Sequence, residues 1–341
     1  MAKKNKKILV TGGAGYVGST FIRDALADGY QVRCIDILVY GGQSLTCFIN
    51  HPNFEFVHGD IRDRATILKC LDGINIVVHL AAIVGDKPCQ AAPKSTYQIN
   101  YLGTKLLADC SKESNVNKFI FASTCSNYGV SDSNIYATEE SSLNPVSLYA
   151  ETKIDCENYL KSIIDDTFST TSLRFGTAFG ISTRTRFDLT VNSFAYEAWN
   201  LNKIIVFAAD TWRPYIHVAD MSLVIRKILL CDNNLISGEI FNAGSTSENY
   251  MKLNIAEILV KLVPGLKTNY INSIEDIRNY KVSFNKLEKL TNFIPSKTIK
   301  DGYCELLSSF RDGILNKSSF EANTLEAITD FFGKKEKFLS N

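Results

Sequence analysis

The segment Lys7-Ile-Leu-Val-Thr-Gly-Gly-Ala-Gly-Tyr-Val-Gly18 constrains the fold more than any other part of the chain. A short apolar run enters glycines at 12, 15 and 18. A helical pattern follows, with Val17, Phe21, Ala25 and Leu26 on one face and Gly29 as its stop. Strand, glycine-rich turn and helix in that order make a dinucleotide-binding unit. Gly12 permits the tight turn, Gly15 lets the backbone approach a pyrophosphate, and Gly18 lets helix and strand pack closely. The helix start, with Tyr16 and Val17, presents free N–H groups and a positive dipole end to the phosphates. Asp36 ends the second apolar run, placed to bind both ribose hydroxyls and to repel a 2′-phosphate. Ile37-Leu38-Val39 follow it without Arg or Lys, so NAD is favoured over NADP.

The same strand-and-helix rhythm continues. Apolar runs at Lys7–Thr11, Gln31–Asp36, Phe54–Gly59, Ile74–Leu80, Lys118–Ser123 and Thr171–Phe175 alternate with helical stretches. That alternation predicts an α/β fold, a Rossmann-type doubly wound parallel sheet with helices on both faces. Asp60-Ile61 ends the third run, where it holds the adenine edge or simply makes a turn. Leu80-Ala81-Ala82 ends the fourth with small residues that admit the cofactor or only pack the sheet. After residue 176 the rhythm loosens. Residues 1–176 are read as the NAD-binding domain, with 215–243 returning to it. A smaller substrate-binding lobe takes 177–214 and 244–320, and 321–341 forms a C-terminal tail that is polar with one apolar cluster.

Composition removes several classes. With 37 Lys plus Arg against 36 Asp plus Glu, the formal charge is +1, so neither nucleic acid nor an anionic membrane is an expected partner. No window approaches the roughly 20 apolar residues of a membrane-spanning helix. The basic start has too short an apolar stretch behind it for a signal peptide. Nine scattered cysteines without a CxxC pair resemble reduced thiols, and a cytoplasmic location is expected. The four histidines have no metal-ligand spacing, so no metal is expected.

Tyr149-Ala-Glu-Thr-Lys153 lies in a helix predicted from Ser147 to about Asp165. Positions i and i+4 share a face, so phenol and ammonium point into one cleft. A phenol is a poor base at neutral pH, and a neighbouring cation lowers its pKa. The pair then serves as a general base. Thr124 ends the fifth strand, at the sheet edge where ligands bind, with a hydroxyl for the substrate oxygen.

Taken together these residues resemble the extended short-chain dehydrogenase/reductase family, in its nucleotide-sugar epimerase/dehydratase branch. The resemblance covers about residues 7–310. It rests on Thr11–Gly18, Asp60-Ile61, His79-Leu-Ala-Ala82, Asn100, Ser123-Thr-Cys-Ser-Asn-Tyr-Gly129, Tyr149–Lys153, Leu173-Arg-Phe175 and Arg213-Pro-Tyr-Ile-His-Val218. It implies a hexose on a nucleoside diphosphate, with Tyr149 taking a proton from a hydroxyl, usually at C4. It further implies that Lys153 holds the nicotinamide ribose, and that Asn100 and Ser123 serve the cofactor side. Arg213 and Arg278 would bind the diphosphate, as Arg forks suit phosphate oxygens. Asn192, Ser126 and Thr177 fall on the substrate side, and Arg184 and Arg186 meet nucleotide or sugar or form a solvated loop. A homodimer through helices flanking the sheet is implied as well. The helix Thr96–Ser114 offers Leu102, Leu106 and Leu107 as a stripe that core packing explains equally well.

Departures from the family pattern narrow the reaction. The branch's 4,6-dehydratases carry a Glu, often after an Asp, two residues past the catalytic Thr. Cys125 and Ser126 stand there instead, which disfavours loss of water. Gly180–Asn192, Val84-Gly-Asp-Lys-Pro-Cys89 and Asp276-Ile-Arg-Asn-Tyr280 look like a subgroup that includes GDP-heptose C4 dehydrogenases as well as sugar epimerases. The expected function is an NAD-dependent nucleotide-sugar epimerase that oxidises C4 and recycles NAD. The alternative is a net C4 dehydrogenase or ketoreductase, with a 4,6-dehydratase or a non-catalytic NAD-binding protein ranked below both.

Overall fold

Parallel strands covered on both faces favour apolar residues, and seven parallel strands build the central sheet. The computed structural model describes residues 6–132, 134–272, 278–316, 324–334 and 336. The first half contains β1 (Lys7–Thr11), α1 (Tyr16–Ala27), β2 (Gln31–Asp36), β3 (Phe54–His58), α2 (Arg64–Leu71), β4 (Ile76–His79), α3 (Asp86–Ala91), α4 (Pro93–Thr96), α5 (Thr104–Glu113) and β5 (Lys118–Thr124). Next come β6 (Tyr136–Ala137), α6 (Leu148–Ser162), β7 (Ser169–Phe175), β8 (Thr177–Phe179), α7 (Thr190–Leu201), β9 (Lys203–Phe207) and β10 (Trp212–His217). The remainder holds α8 (Val218–Leu230), α9 (Asn233–Ile236), β11 (Ile240–Ala243), β12 (Asn249–Met251), α10 (Lys252–Leu262), β13 (Lys267–Ile271), β14 (Lys281–Val282), α11 (Asn285–Thr291), α12 (Ile299–Arg311) and α13 (Thr324–Ile328).

The seven-stranded sheet runs β3-β2-β1-β4-β5-β7-β11, every neighbour parallel. Strand order reverses between β1 and β4. A doubly wound sheet opens its ligand crevice at the carboxyl ends of the strands flanking that reversal. One face is covered by α1 and α8, with Phe21, Ile22, Val224, Ile225 and Ile228 fully buried. The other carries Ile67, Leu107, Phe119, Cys156 and Leu160 from α2, α5, β5 and α6. A second core joins Phe179, Val191, Tyr215, Leu259, Tyr303 and Leu306, away from the sheet.

β10 pairs with Thr177–Phe179 of β8 and with β12 in a separate three-stranded sheet, while its Ile216 packs into the same core as α1 and α8. The chain then continues through α8 to β11 of the main sheet. One expectation changes. The helix expected over Thr96–Ser114 starts earlier, at Pro93, whose missing N–H suits a first helical turn. It then widens into a π-helical stretch over Tyr97–Gly103 before α5. Leu107 is fully buried, but Leu102 is 45% exposed, so the predicted stripe does not hold as drawn.

Among the described residues no helix is long and apolar enough to cross a membrane. Nor do they contain a cluster of His, Cys, Asp or Glu fit to hold a metal ion. All nine cysteines are free thiols.

Candidate active site

The crevice at the sheet edge is one deep cleft of about 1130 Å³. A pocket for one drug-sized ligand spans roughly 300–1,000 Å³, so this cleft lies above that range.

One wall is the glycine-rich turn. Gly12 has φ +72°, and a Cβ on it would lie 2.7 Å from the Ala81 backbone. A Cβ on Gly18 would collide with the Gly12 carbonyl oxygen. Backbone alone fits at both points, leaving a cradle of N–H groups at the start of α1. Asp36 anchors this wall. Its carboxylate accepts from Ala14 N at 3.0 Å and from Leu38 N at 2.8 Å. Those bonds hold the turn and also a left-handed Leu38, φ 58°. Burial pushes the Asp36 pKa up, opposed by the two backbone bonds. The residue lines the cleft and has further oxygen lone pairs for hydroxyls there. Gly15, Val17, Leu80, Ala81 and Ala82 line the same wall. These features fit a dinucleotide.

Tyr16 lines the cleft, but its hydroxyl donates to the Gly180 carbonyl at 2.7 Å. Asp60 and Ile61 sit at the far end, where the Asp60 carboxylate is taken by Arg62, 2.6 Å from its Nη2.

The chemical centre is built where β5 meets α6. Ser147 caps α6, its hydroxyl accepting from Ala150 N. The helix thereby starts where Tyr149 and Lys153 face the end of β5. Lys153 is 3% exposed. Its Nζ donates to the Ala122 carbonyl at 2.8 Å and lies 5.8 Å from the Tyr149 ring centre. Burial pushes the Lys153 pKa down to about 8. Burial pushes the Tyr149 phenol above its ordinary range, with Arg186 and a Thr124 hydrogen bond acting in the opposite direction. The expectation that Lys153 lowers the phenol pKa is therefore corrected for the cleft as it stands. Loss of solvation outweighs the neighbouring cations, and the lysine is moved instead. Thr124 Oγ1 accepts from Ser126 N at 3.1 Å, which leaves its own proton to donate.

Ser126, Thr177, Arg184, Arg213 and Arg278 also line the cleft. Arg184 stacks on Tyr40 at 3.6 Å. Arg213 lies 5.2 Å over Tyr280. Arg278 pairs with Asp86 at 3.2 Å across the mouth. Arg186 is locked to Asp188, with contacts of 3.1 and 2.6 Å, yet its charge still reaches Tyr149. Asp276 and Ile277 lie outside the described residues.

Two predicted contacts do not line the cleft. Asn100 is 1% exposed, and its amide bridges Ile83 N at 2.8 Å and Ile83 O at 2.9 Å. Asn192 is fully buried and ties Gly180 N, Gly180 O and Arg186 O together. Both hold backbone partners, Asn100 also donating to the Thr152 hydroxyl at 3.4 Å, and both position loops of the site.

Sequence reasoning missed a buried network behind the centre. Glu157 and Arg174, 2% and 3% exposed, pair at 2.6 Å. Ser123 donates to Glu157, so it faces both cleft and network. Asn127 donates to the same carboxylate at 3.0 Å, and Arg174 reaches Tyr128 at 3.0 Å. The signal was present: Glu157 stands one helical turn beyond Lys153, and Arg174 sits between Leu173 and Phe175 in β7. Leu325, Ile328 and Phe332 of the tail also line the cleft, which polarity concealed.

Residues 8–244 match the NAD dependent epimerase/dehydratase family. The low-salt glycan biosynthesis protein Agl12 of Haloferax volcanii is 28% identical over 79% of this chain and 86% of its own length. A UDP-glucose 4-epimerase of Lactobacillus helveticus is 28% identical over 77% and 83%. The crystal structure of a dTDP-glucose 4,6-dehydratase from Streptomyces venezuelae with NAD shares the fold, with a TM-score of 0.81 at 24% identity. It covers 92% of this chain and 99% of that one.

Proposed function

The chain belongs to the NAD dependent epimerase/dehydratase family, and we propose that within it the protein is a nucleotide-sugar epimerase working through oxidation at sugar C4. The observation that carries this reading is the convergence of Thr124, Tyr149 and Lys153 in one cleft, between the dinucleotide turn and Arg213 and Arg278. Tyr149 takes the proton of the sugar hydroxyl. Thr124, already an acceptor for Ser126 N, donates its proton to that oxygen or to the phenol. Lys153, fixed by Ala122, holds positive charge beside the phenol and meets the nicotinamide ribose. Arg213 and Arg278 meet the diphosphate, Arg184 the nucleotide or the sugar, and Ser126 and Thr177 the sugar. The chemistry that NAD supplies when bound is reversible acceptance of the sugar's hydride.

Dehydration is disfavoured by the two residues next to Thr124. The Cys125 thiol is buried, donates to the Arg174 carbonyl at 3.1 Å, and is pushed up in pKa by burial. Neither it nor Ser126 replaces an acid that expels water. A net C4 dehydrogenase or ketoreductase would use the same three residues and is separated by its product.

The test is incubation with UDP-, GDP-, CDP- and dTDP-sugars, with and without added NAD, read by mass spectrometry, NMR and nicotinamide absorbance. A new sugar of unchanged mass without net NADH is expected. Loss of two hydrogens with NADH accumulation would make it a dehydrogenase, and loss of water would overturn the reading of Cys125 and Ser126.

Asp36→Ala is expected to weaken NAD by roughly tenfold to a hundredfold, the loss of one or two hydrogen bonds to a charged acceptor. It should narrow the gap to NADP, because the repulsion of a 2′-phosphate goes with it. Titration of both cofactors checks this, and unmoved affinities would take Asp36 out of the ribose site. We also place the protein in the cytoplasm, supported by its nine free thiols. A homodimer is proposed through the face where exposed Tyr97 and Leu102 adjoin Leu148.

A further inference from the structure

We infer that the C-terminal segment from Thr324 to Glu336 is the outer wall of the cofactor's adenosine subsite, and that it keeps the cofactor in place from one turnover to the next. This rests on the NAD reading above.

The segment is tied at both ends to different parts of the molecule. At its start, buried Thr324 accepts from Arg184 Nη2 at 3.2 Å and donates to Asp188 Oδ1 at 3.3 Å. Both partners belong to the loop before α7. At its end, the Glu336 carboxylate accepts from Lys94 N at 3.2 Å and Ser95 N at 2.6 Å, in the sheet unit. Close by, Gly333 packs so tightly on α3 that a Cβ would lie 3.0 Å from the Ala91 carbonyl. The strap therefore crosses from one side of the cleft to the other.

Between the ties its apolar face turns inward. Ile328 and Phe332, 2% and 5% exposed, pack with Ile61, Ile83 and Ile99. Both also line the open cleft that Asp36 and Asp60 line. Arg62, held by Asp60, lies 5.7 Å over the Phe332 ring. On the NAD reading Asp36 meets a ribose, and Ile61, just past the end of β3, meets the adenine edge. An adenosine in that place has the strap between itself and solvent, so its release requires the strap to part. A long-lived cofactor is what an epimerase needs, since the hydride it removes must be returned to the same sugar.

The test measures NAD release from the full-length protein, together with NAD retained after purification and hydrogen exchange over 324–336. In I328S/F332S, release is expected to be at least about tenfold faster, the scale of losing one buried apolar contact. T324V/E336Q, which loosens the polar ties and leaves the apolar packing intact, should speed release to a smaller degree. It carries the test alone if the first variant does not fold. Unchanged release in a variant whose strap amides exchange freely would overturn the inference. So would slower release, which would mean that the strap fills the subsite. Wild-type protein that binds no NAD would sink the parent reading, whereas tight binding with unmoved release sinks only the strap.

Discussion

Replacing Tyr149 with phenylalanine is expected to lower kcat by roughly 10²–10⁴-fold, the usual contribution of a positioned general base, while NAD still binds. Phenylalanine keeps the ring that packs beside Ile83, Cys89 and Ala92, so the cleft keeps its shape. Single-turnover oxidation and an NAD titration separate the two effects, and unchanged kcat would remove Tyr149 as the base. The pH profile adds an independent check. The working state is phenolate beside ammonium, which has lost one proton from the pair. Burial pushes Lys153 down to about 8 and the phenol upward, so the first proton leaves the pair near pH 8. Oxidation should therefore rise with pH and level off above that value. A positive charge bound beside the pair moves the break to lower pH. Lys153→Met should move it upward, because the phenol then ionises without its neighbour. A profile that stays flat from pH 6 to 9 in both proteins would contradict the pairing.

The parts legible in the sequence are those governed by local rules. Buried parallel strands favour apolar residues, and β1 to β5 lie within two residues of the runs read for them. The glycine turn is legible because backbone geometry leaves no other residue type at Gly12 or Gly18. The features that escape are set by partners distant in sequence. Asn100 and Asn192 read as ligand contacts, because residue type does not reveal where a side-chain amide finds its partners. Each finds a backbone segment to hold. The widened turn at Tyr97–Gly103 likewise has no local signature. The tail shows Leu325, Ile328 and Phe332 at helical spacing, but spacing cannot say that the surface they cover is the rim of a cleft. The phenol pKa is misjudged for a related reason: the sequence puts a cation nearby and does not show how much water is excluded.

Arg174→Met is expected to destabilise the protein by about 3–5 kcal/mol, because it leaves the Glu157 carboxylate buried without its cation. Glu157 and Arg174 are 2% and 3% exposed, with contacts of 3.0, 3.2 and 2.6 Å, so neither charge can turn to solvent. Denaturant unfolding at fixed protein and cofactor concentration measures the loss. E157L/R174M should recover most of it, since replacing a whole buried pair by apolar groups is often neutral. A double variant no more stable than R174M would show that the cost lies in lost packing and not in stranded charge. Stability and activity should then part company. Glu157 lies on α6 beyond Tyr149 and Lys153, and it holds Ser123 and Asn127, which flank Thr124 in sequence. The pair thus fixes the register between the helix that carries the base and the strand end that carries the hydroxyl. A refolded E157L/R174M protein should bind NAD normally yet show kcat reduced by roughly tenfold or more, because small displacements of reacting groups are costly. Full activity in that variant would mean that the register is set by packing of α6 on the sheet alone.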